Sequence, residues 1–147
     1  MEEDRTLGEW LAGDHRRLDD LWARAQAVRL SRPVEARRLY RDFAEGLRAH
    51  LTAEEEVVFA GLERDPGFTG EALLEQLREE HREILASLAE LLAAVEKGGD
   101  PSAPAGRLRQ QLWSHNAREE PQLYPGLSEP WEGDSPLASG VRRRLVP

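Results

Sequence analysis

Two histidines in this chain are each followed, four residues later, by a glutamate: His50 by Glu54, and His115 by Glu119. Residues four apart in an α-helix lie one turn apart on the same face, so each pair presents an imidazole beside a carboxylate. Both pairs lie on apolar stripes with the three-four spacing of a buried helix face. Because a buried carboxylate is unfavourable unless something pairs with it, the spacing favours a metal centre.

The two remaining histidines, His15 and His81, lie on the apolar stripes of two further predicted helices. Counting from the turns places all four histidines within a few ångströms of one height, since an α-helix rises about 1.5 Å per residue. One histidine on an apolar face is more often a hydrogen-bonded core residue than a ligand. Four in a layer with two glutamates favour a metal centre instead. The candidate ligands are His15, His50, Glu54, His81, His115 and Glu119.

The ligand types restrict the metal. The chain has no cysteine, which excludes thiolate zinc sites and cysteine-ligated iron–sulfur clusters. Imidazole and carboxylate suit iron, zinc or manganese. Six ligands are too many for one tetrahedral zinc ion, but they suit two ions that share both carboxylates and a bridging hydroxide or oxide. The ferritin-like glutamate three residues before a histidine is absent, and so is the zinc-protease His-Glu-x-x-His motif.

Four amphipathic helices joined by short turns are predicted to position these residues. Thr6 and Glu9 form a capping box at the start of the first helix. The second helix ends before Asp65-Pro66-Gly67 and the third at Gly98-Gly99-Asp100-Pro101, whereas Pro121 breaks or kinks the fourth. The sequence shows no strand pattern. We therefore predict an all-α fold, an up-down-up-down four-helix bundle.

The C-terminal part of the chain has a different composition, rich in Gly, Pro and Ser. We predict that residues 1–125 form the bundle and that residues 126–147 form a short, partly irregular extension. The sequence permits one short helix there, from Ser135 to Leu145. Trp131 and Leu137 are the side chains expected to fold back onto the bundle.

Composition restricts partners and location. The net charge of −8 disfavours nucleic acid and anionic membranes as partners. No apolar run approaches the roughly 20 residues that span a bilayer, and the acidic start at residues 1–5 lacks the apolar core of a signal peptide. We expect a cytoplasmic protein that is a monomer or a homodimer.

Taken in order, these phrases resemble the hemerythrin-like (HHE cation-binding) family. That family is a four-helix bundle with one histidine on the first and third helices and a His-x-x-x-Glu/Asp phrase on the second and fourth. The resemblance covers roughly residues 7–125 and is carried by Asp14-His15-Arg16-Arg17-Leu18, His50 to Glu56, Glu80-His81-Arg82, and His115 to Pro125. It implies a non-haem di-iron centre with the four histidines as terminal ligands and Glu54 and Glu119 as bridges.

The chain departs from the oxygen carriers of this family on the third helix. Those carriers have a fifth histidine four residues from the other one, whereas Leu77 and Leu85 occupy the two candidate positions here. One iron therefore has a vacancy, or takes water or another carboxylate such as Glu80. This difference puts reversible oxygen carriage in doubt and leaves room for oxidation chemistry or labile iron.

The identity of the second bridging carboxylate is open between two neighbours. In the carriers the last carboxylate lies five residues after its histidine, which would be Glu120 here. We favour Glu119, because it matches the first phrase and lies on the apolar stripe. Glu55 and Glu120 are then expected to be solvated neighbours.

Three functions fit this sequence. The first is a binding protein for dioxygen or a related molecule such as nitric oxide or peroxide, or for sensing iron. The second is a di-iron oxidase or peroxidase, and the third is a labile iron donor or storage protein. An enzyme usually needs a proton donor near the metal. Tyr40 is too far along its helix and Tyr124 lies beyond a proline, so we expect a binding protein rather than an enzyme.

Overall fold

Four long helices form most of the computed structural model, which describes residues 5–145. Residues 1–4, the main part of the acidic start considered above, and residues 146 and 147 of the extension lie outside this range. The long helices are α1 (Leu7–Val28), α2 (Pro33–Ala53), α3 (Glu71–Glu96) and α4 (Ser102–Gln122). A 3-10 turn (Tyr124–Gly126) and a short helix, α5 (Pro136–Leu145), follow α4. Residues 5–145 contain no β-strand, and the prediction of an all-α bundle is confirmed.

The helix ends have the local chemistry that the sequence predicts. The Thr6 hydroxyl accepts a hydrogen bond from the Glu9 amide at 3.1 Å, and the Glu9 carboxylate accepts one from the Thr6 amide at 2.9 Å. Pro33 is the first residue of α2, where its missing N–H removes no helical bond. After α3, Gly98 adopts a φ of +69°, a left-handed conformation that favours glycine at the end of a helix.

The second helix does not stop at Ala53. It passes into a π-helical turn (Glu54–Phe59) and then into one last α-helical turn (Ala60–Glu63). A π turn holds an extra residue, so it shifts the faces of the helix; three consecutive side chains, Val57, Val58 and Phe59, are buried in it. Such turns are rare and occur often at functional sites. The sequence analysis did not predict this one.

The core consists of two apolar clusters with a polar layer between them. On α1, Leu11 belongs to one cluster and Leu18 to the other, so His15 lies between the two clusters. On α3, Leu77 and Ile84 lie on either side of the next histidine in the same way. The buried polar residues are Asp14, His15, His50, Glu54, His81, Ser87, His115 and Glu119. The bundle therefore buries its candidate ligands in mid-core.

The C-terminal extension folds back across the start of α1. Three backbone hydrogen bonds join them: Leu7 N to Glu129 O (2.8 Å), Gly8 N to Leu127 O (3.0 Å) and Trp131 N to Arg5 O (2.8 Å). The first amides of a helix have no partner within the helix, so the extension satisfies two of them. Trp131 stacks on Trp10 with ring centroids 4.0 Å apart, and Leu137 packs against the core. The domain boundary at residue 125 stays a prediction.

Pro121 lies within the last turn of α4, which ends one residue later at Gln122. The chain then turns so that the backbone of Tyr124 passes close over the first turn of α1. Gly8 makes this approach possible, because a Cβ atom there would lie 2.1 Å from the Tyr124 carbonyl oxygen. Tyr124, three residues after the proline, is thus fixed against the bundle.

No helix within residues 5–145 combines the length and the apolar character that crossing a bilayer requires.

Replacing Gly8 with alanine tests the close approach of the Tyr124 backbone to α1. We expect Gly8→Ala to lower the free energy of unfolding by about 1–3 kcal/mol, because the new methyl group meets backbone atoms that cannot rotate away. The matched control is Gly106→Ala in α4, where a Cβ would meet nothing within 4 Å. That variant should gain about 0.5–1 kcal/mol from the helix preference of alanine. Denaturant titrations measure both, and equal stabilities of the two variants would contradict the contact.

Candidate metal centre

The structure brings all six predicted ligands into one buried layer, with no residue more than 5% exposed. They form two groups of four, and the ligand atoms of each group lie within 4.8 Å of one another. We call the group with His15 and His50 the first position, and the group with His81 and His115 the second position. Glu54 and Glu119 belong to both groups. The arrangement therefore offers two adjacent cation positions with two shared carboxylates.

Each glutamate reaches a histidine of both positions. Glu54 places Oε2 3.4 Å from His50 Nε2 and Oε1 3.3 Å from His81 Nε2. Glu119 Oε1 lies 3.2 Å from His15 Nε2 and 3.4 Å from His115 Nε2. These separations suit carboxylates that bridge two ions.

Each of the four imidazoles is hydrogen-bonded to its own carboxylate on the outer side of the layer. The pairs are His15 Nδ1 with Glu120 (2.8 Å), His50 Nδ1 with Asp14 (2.8 Å), His81 Nδ1 with Glu55 (2.7 Å) and His115 Nδ1 with Glu80 (2.8 Å). In each pair Nδ1–H donates to the carboxylate, which leaves Nε2 directed at the centre. This is the usual outer partner of a metal-binding histidine, and it fixes both ring orientation and tautomer.

These pairs extend one expectation from the sequence and correct another. Glu55 and Glu120 were expected to be solvated neighbours; their side chains are 39% and 37% exposed, yet each accepts a hydrogen bond from a histidine. Glu80 was offered as an additional metal ligand. Its two oxygens instead face His115 Nδ1 and Arg118 Nε, each at 2.8 Å, so it orients a histidine from outside the layer.

The second position contains buried atoms that lack partners. Glu54 Oε1, His81 Nε2, His115 Nε2 and Glu119 Oε2 are buried and form no hydrogen bond. A buried polar atom without a partner costs roughly 1–3 kcal/mol. Here four such atoms, all nitrogen and oxygen, face one shared space. The residues therefore fit a cation such as iron, zinc or manganese.

The first position contains a residue that the sequence analysis dismissed. The Tyr124 hydroxyl lies 2.5 Å from Glu54 Oε2 and 2.7 Å from Glu119 Oε1, and it donates its proton toward these carboxylates. It also lies 3.1 Å from His15 Nε2 and 3.2 Å from His50 Nε2. The expectation that Tyr124 is out of reach beyond a proline is wrong, because the 3-10 turn after α4 directs the side chain back into the core.

A signal for Tyr124 exists in the sequence. His50 and Phe59 are nine residues apart, and so are His115 and Tyr124, with a Glu-Glu pair four and five residues after each histidine. An aromatic residue thus follows both histidine–glutamate phrases at the same distance. Tyr40, by contrast, is remote as expected, and its hydroxyl donates to Gln26.

The charges of the centre pair internally when no metal is bound. Burial alone would lower the pKa of His50, but Glu54 and Asp14 outweigh it and raise the pKa to about 10. Burial likewise opposes protonation of His81, and the carboxylates of Glu54 and Glu55 raise its pKa to about 9. Burial would raise the pKa of Glu54, yet the two imidazoles hold it well below 4.5. A cation must therefore displace protons from the imidazoles to enter.

A groove between α1 and α4 lies next to the centre. Its volume is about 1210 Å³ and its walls include Trp22 and Trp113. A small cavity of about 10 Å³ at its base touches the first-position histidines and His115, and shares Phe43 and Leu112 with the groove. That is about the space of one water molecule. A molecule of that size would fit beside the metal positions.

The family is decided by comparison with known protein families. The model of the hemerythrin HHE cation binding domain matches residues 6–127, which is most of the chain. The chain belongs to this family. The predicted resemblance is thereby confirmed; members of the family bind metal cations, typically iron, and the histidine and glutamate groups described above could hold a metal. Neither the curated proteins nor the solved structures contain a significant match to the chain.

The metal-free hemerythrin-like domain should lose stability as the solution becomes alkaline. The pKa values of His50 and His81 are raised from 6.5 to about 10 and about 9. Their ion pairs therefore contribute fully below pH 6.5, and the contribution is lost as the pH rises toward 9–10. Glu54 has a lowered pKa, so its contribution persists down to acidic pH. Melting temperatures of the metal-free protein should fall between pH 6.5 and 10, whereas a flat or rising profile would contradict these pairs.

Asp14 should support metal binding without touching the ion. It is buried and hydrogen-bonded to His50, and its other oxygen accepts from Arg17 at 2.7 Å. Loss of such an outer partner typically lowers metal affinity about 10–100-fold, and we expect this for Asp14→Asn. Asp20→Asn on the exposed face of α1 is the matched control and should leave affinity unchanged. Competition with a coloured iron(II) chelator measures both; equal affinities would show that Asp14 does not orient the imidazole.

Proposed function

We propose that the chain holds two iron ions in this layer. His15 and His50 would bind the first ion, His81 and His115 the second, and Glu54 and Glu119 would bridge them. The observation that carries the proposal is the set of four buried, unpartnered atoms at the second position beside two carboxylates that reach both positions. Iron is the cation typical of the family, and imidazole with carboxylate suits it.

We further propose that the centre takes up dioxygen or a related small molecule such as nitric oxide or peroxide. When bound, iron supplies the capacity to bind such molecules and to exchange electrons with them. The size of the adjacent cavity supports a small ligand, and the residues at the two candidate positions of the fifth histidine offer no ligand atom of their own. The cavity beside His15, His50 and His115 holds about one water molecule. Leu77, at one candidate position of the missing histidine, is buried and apolar, whereas Leu85, at the other, is 37% exposed and so lies outside the core.

A di-iron oxidase or peroxidase is the second candidate, and one observation favours it. The absence of a nearby proton donor was the reason to prefer a binding protein. The Tyr124 hydroxyl removes that reason, because it lies within hydrogen-bonding distance of both bridging carboxylates. Its pKa lies well above 10, through burial and then through the charges of Glu119 and Glu54, so it keeps its proton in the metal-free protein.

Metal content tests the two-ion proposal. Protein purified without chelator or nickel resin, then loaded anaerobically with iron(II), should retain about two irons per chain. Glu54→Gln should retain fewer, because it removes a carboxylate shared by both positions, whereas Glu45→Gln on the exposed face of α2 should retain the full amount. Identical iron content in the Glu54 variant and the wild type would contradict the bridging role.

Rapid mixing of the reduced protein with oxygen separates the two functions. A coloured oxygenated form that is reversed under vacuum would support a binding protein. Immediate and irreversible oxidation, followed by turnover of peroxide, would support the enzyme. If iron-loaded and metal-free protein have the same melting curve at neutral pH, a metal site in the core is contradicted, since binding energy there must appear as stability.

A further inference from the structure

The Tyr124 hydroxyl lies among the four ligand atoms of the first position, at 2.5–3.2 Å from each of them. Within residues 5–145 no hydroxyl occupies the second position, whose buried atoms remain without partners. We propose that Tyr124 is itself a ligand of the first ion, through its phenolate oxygen, and that the two ions of the centre are therefore inequivalent. This inference rests on the proposed di-iron function.

The distances around the hydroxyl show why an ion would bring Tyr124 into contact with it. Bonds from a divalent metal to nitrogen or oxygen ligands are about 2.0–2.2 Å. The hydroxyl oxygen now occupies the space between the carboxylates and the imidazoles, so an ion entering there must move it. A retreat by about one such bond length is enough, and it leaves the oxygen at ligand distance from the ion.

The backbone of Tyr124 restricts how far the side chain can move away. Its carbonyl carbon and oxygen lie against Gly8 of α1, so the turn cannot slide toward that helix. The Leu127 amide donates to the Tyr124 carbonyl at 2.9 Å, and the Leu127 carbonyl accepts from the Gly8 amide at 3.0 Å. Tyr124 itself is buried at 3% exposure. The ring can tilt in place, but the surrounding structure keeps it at the centre.

Packing does not explain the hydroxyl. Phe59 holds the equivalent place after the first histidine–glutamate phrase, where it stacks on His81 with centroids 5.6 Å apart. Tyr124 contacts His15 in a similar way, with centroids 5.4 Å apart. A phenylalanine would therefore fill the space at either place. The tyrosine adds only an oxygen, and that oxygen points into the first position.

The hydrogen bonds that now hold the hydroxyl compete with metal binding, because both use the same carboxylate oxygens and lie against the same Nε2 atoms. With the ions present, the bridging carboxylates and the Nε2 atoms that surround it would be bonded to metal. A buried hydroxyl that loses its hydrogen-bond partners is unfavourable. Coordination by Tyr124 would remove this penalty: the phenol O–H bond would break, the oxygen would bind the ion, and the proton would leave to water. No electron is transferred in this step.

Resonance Raman spectroscopy of the iron(III)-loaded full chain tests the assignment. A phenolate bound to ferric iron gives a charge-transfer band in the visible region, and excitation in that band enhances ring vibrations of the bound tyrosine. We expect these vibrations in the wild type and in Tyr40→Phe, and their complete loss in Tyr124→Phe. Tyr40 is the only other tyrosine and its hydroxyl contacts Gln26, so it is the matched control.

Iron content, measured on the same samples, separates the possible failures. About two irons in the wild type without phenolate vibrations would overturn the Tyr124 assignment and leave the di-iron proposal intact. Vibrations that persist in Tyr124→Phe would also overturn the assignment. Fewer than two irons in the wild type would overturn both. If Tyr124→Phe fails to fold, Tyr40→Phe protein labelled with ring-deuterated tyrosine still decides, since only Tyr124 can then shift the bands.

Discussion

Two carboxylates without solvent access, Glu54 and Glu119, are the constraint on which the rest of the structure depends. Burying an ionised carboxylate is unfavourable by several kilocalories per mole unless opposite charge and hydrogen bonds compensate it. The fold supplies that compensation from four imidazoles, and it gives each imidazole a further carboxylate behind it. The resulting layer divides the apolar core in two. The proposed pair of cations would also account for the buried atoms left without partners.

Each half of the bundle supplies one histidine–glutamate phrase to this layer, but the chain that follows the two phrases folds differently. After the phrase in α2, a π turn carries the helix on and buries Phe59 against His81. After the phrase in α4, Pro121 and a 3-10 turn end the helix, and Tyr124 enters the core instead. The extension and Gly8 hold that turn in place. A part of the chain that looks peripheral in the sequence thus places one oxygen at the centre.

Helical periodicity accounts for what the sequence could predict. The four helices, their ends and the convergence of the six candidate ligands follow from spacings within continuous helices, where rise and rotation per residue are fixed. Tyr124 was missed because that geometry cannot be extended through Pro121 and a change of helix type. The hydrogen bonds of Glu55 and Glu120 to histidines were not predicted because their partners come from other helices, which spacing along one helix does not report. The π turn has no sequence signal that we can identify.

Anomalous diffraction at the iron absorption edge, from crystals of the iron-loaded chain, tests the central claim most directly. We expect two iron peaks in mid-bundle, one bonded to His15 and His50 and the other to His81 and His115. Glu54 and Glu119 should each have density to both peaks. A single peak, or peaks only on the protein surface with these side chains still paired to one another, would contradict the account.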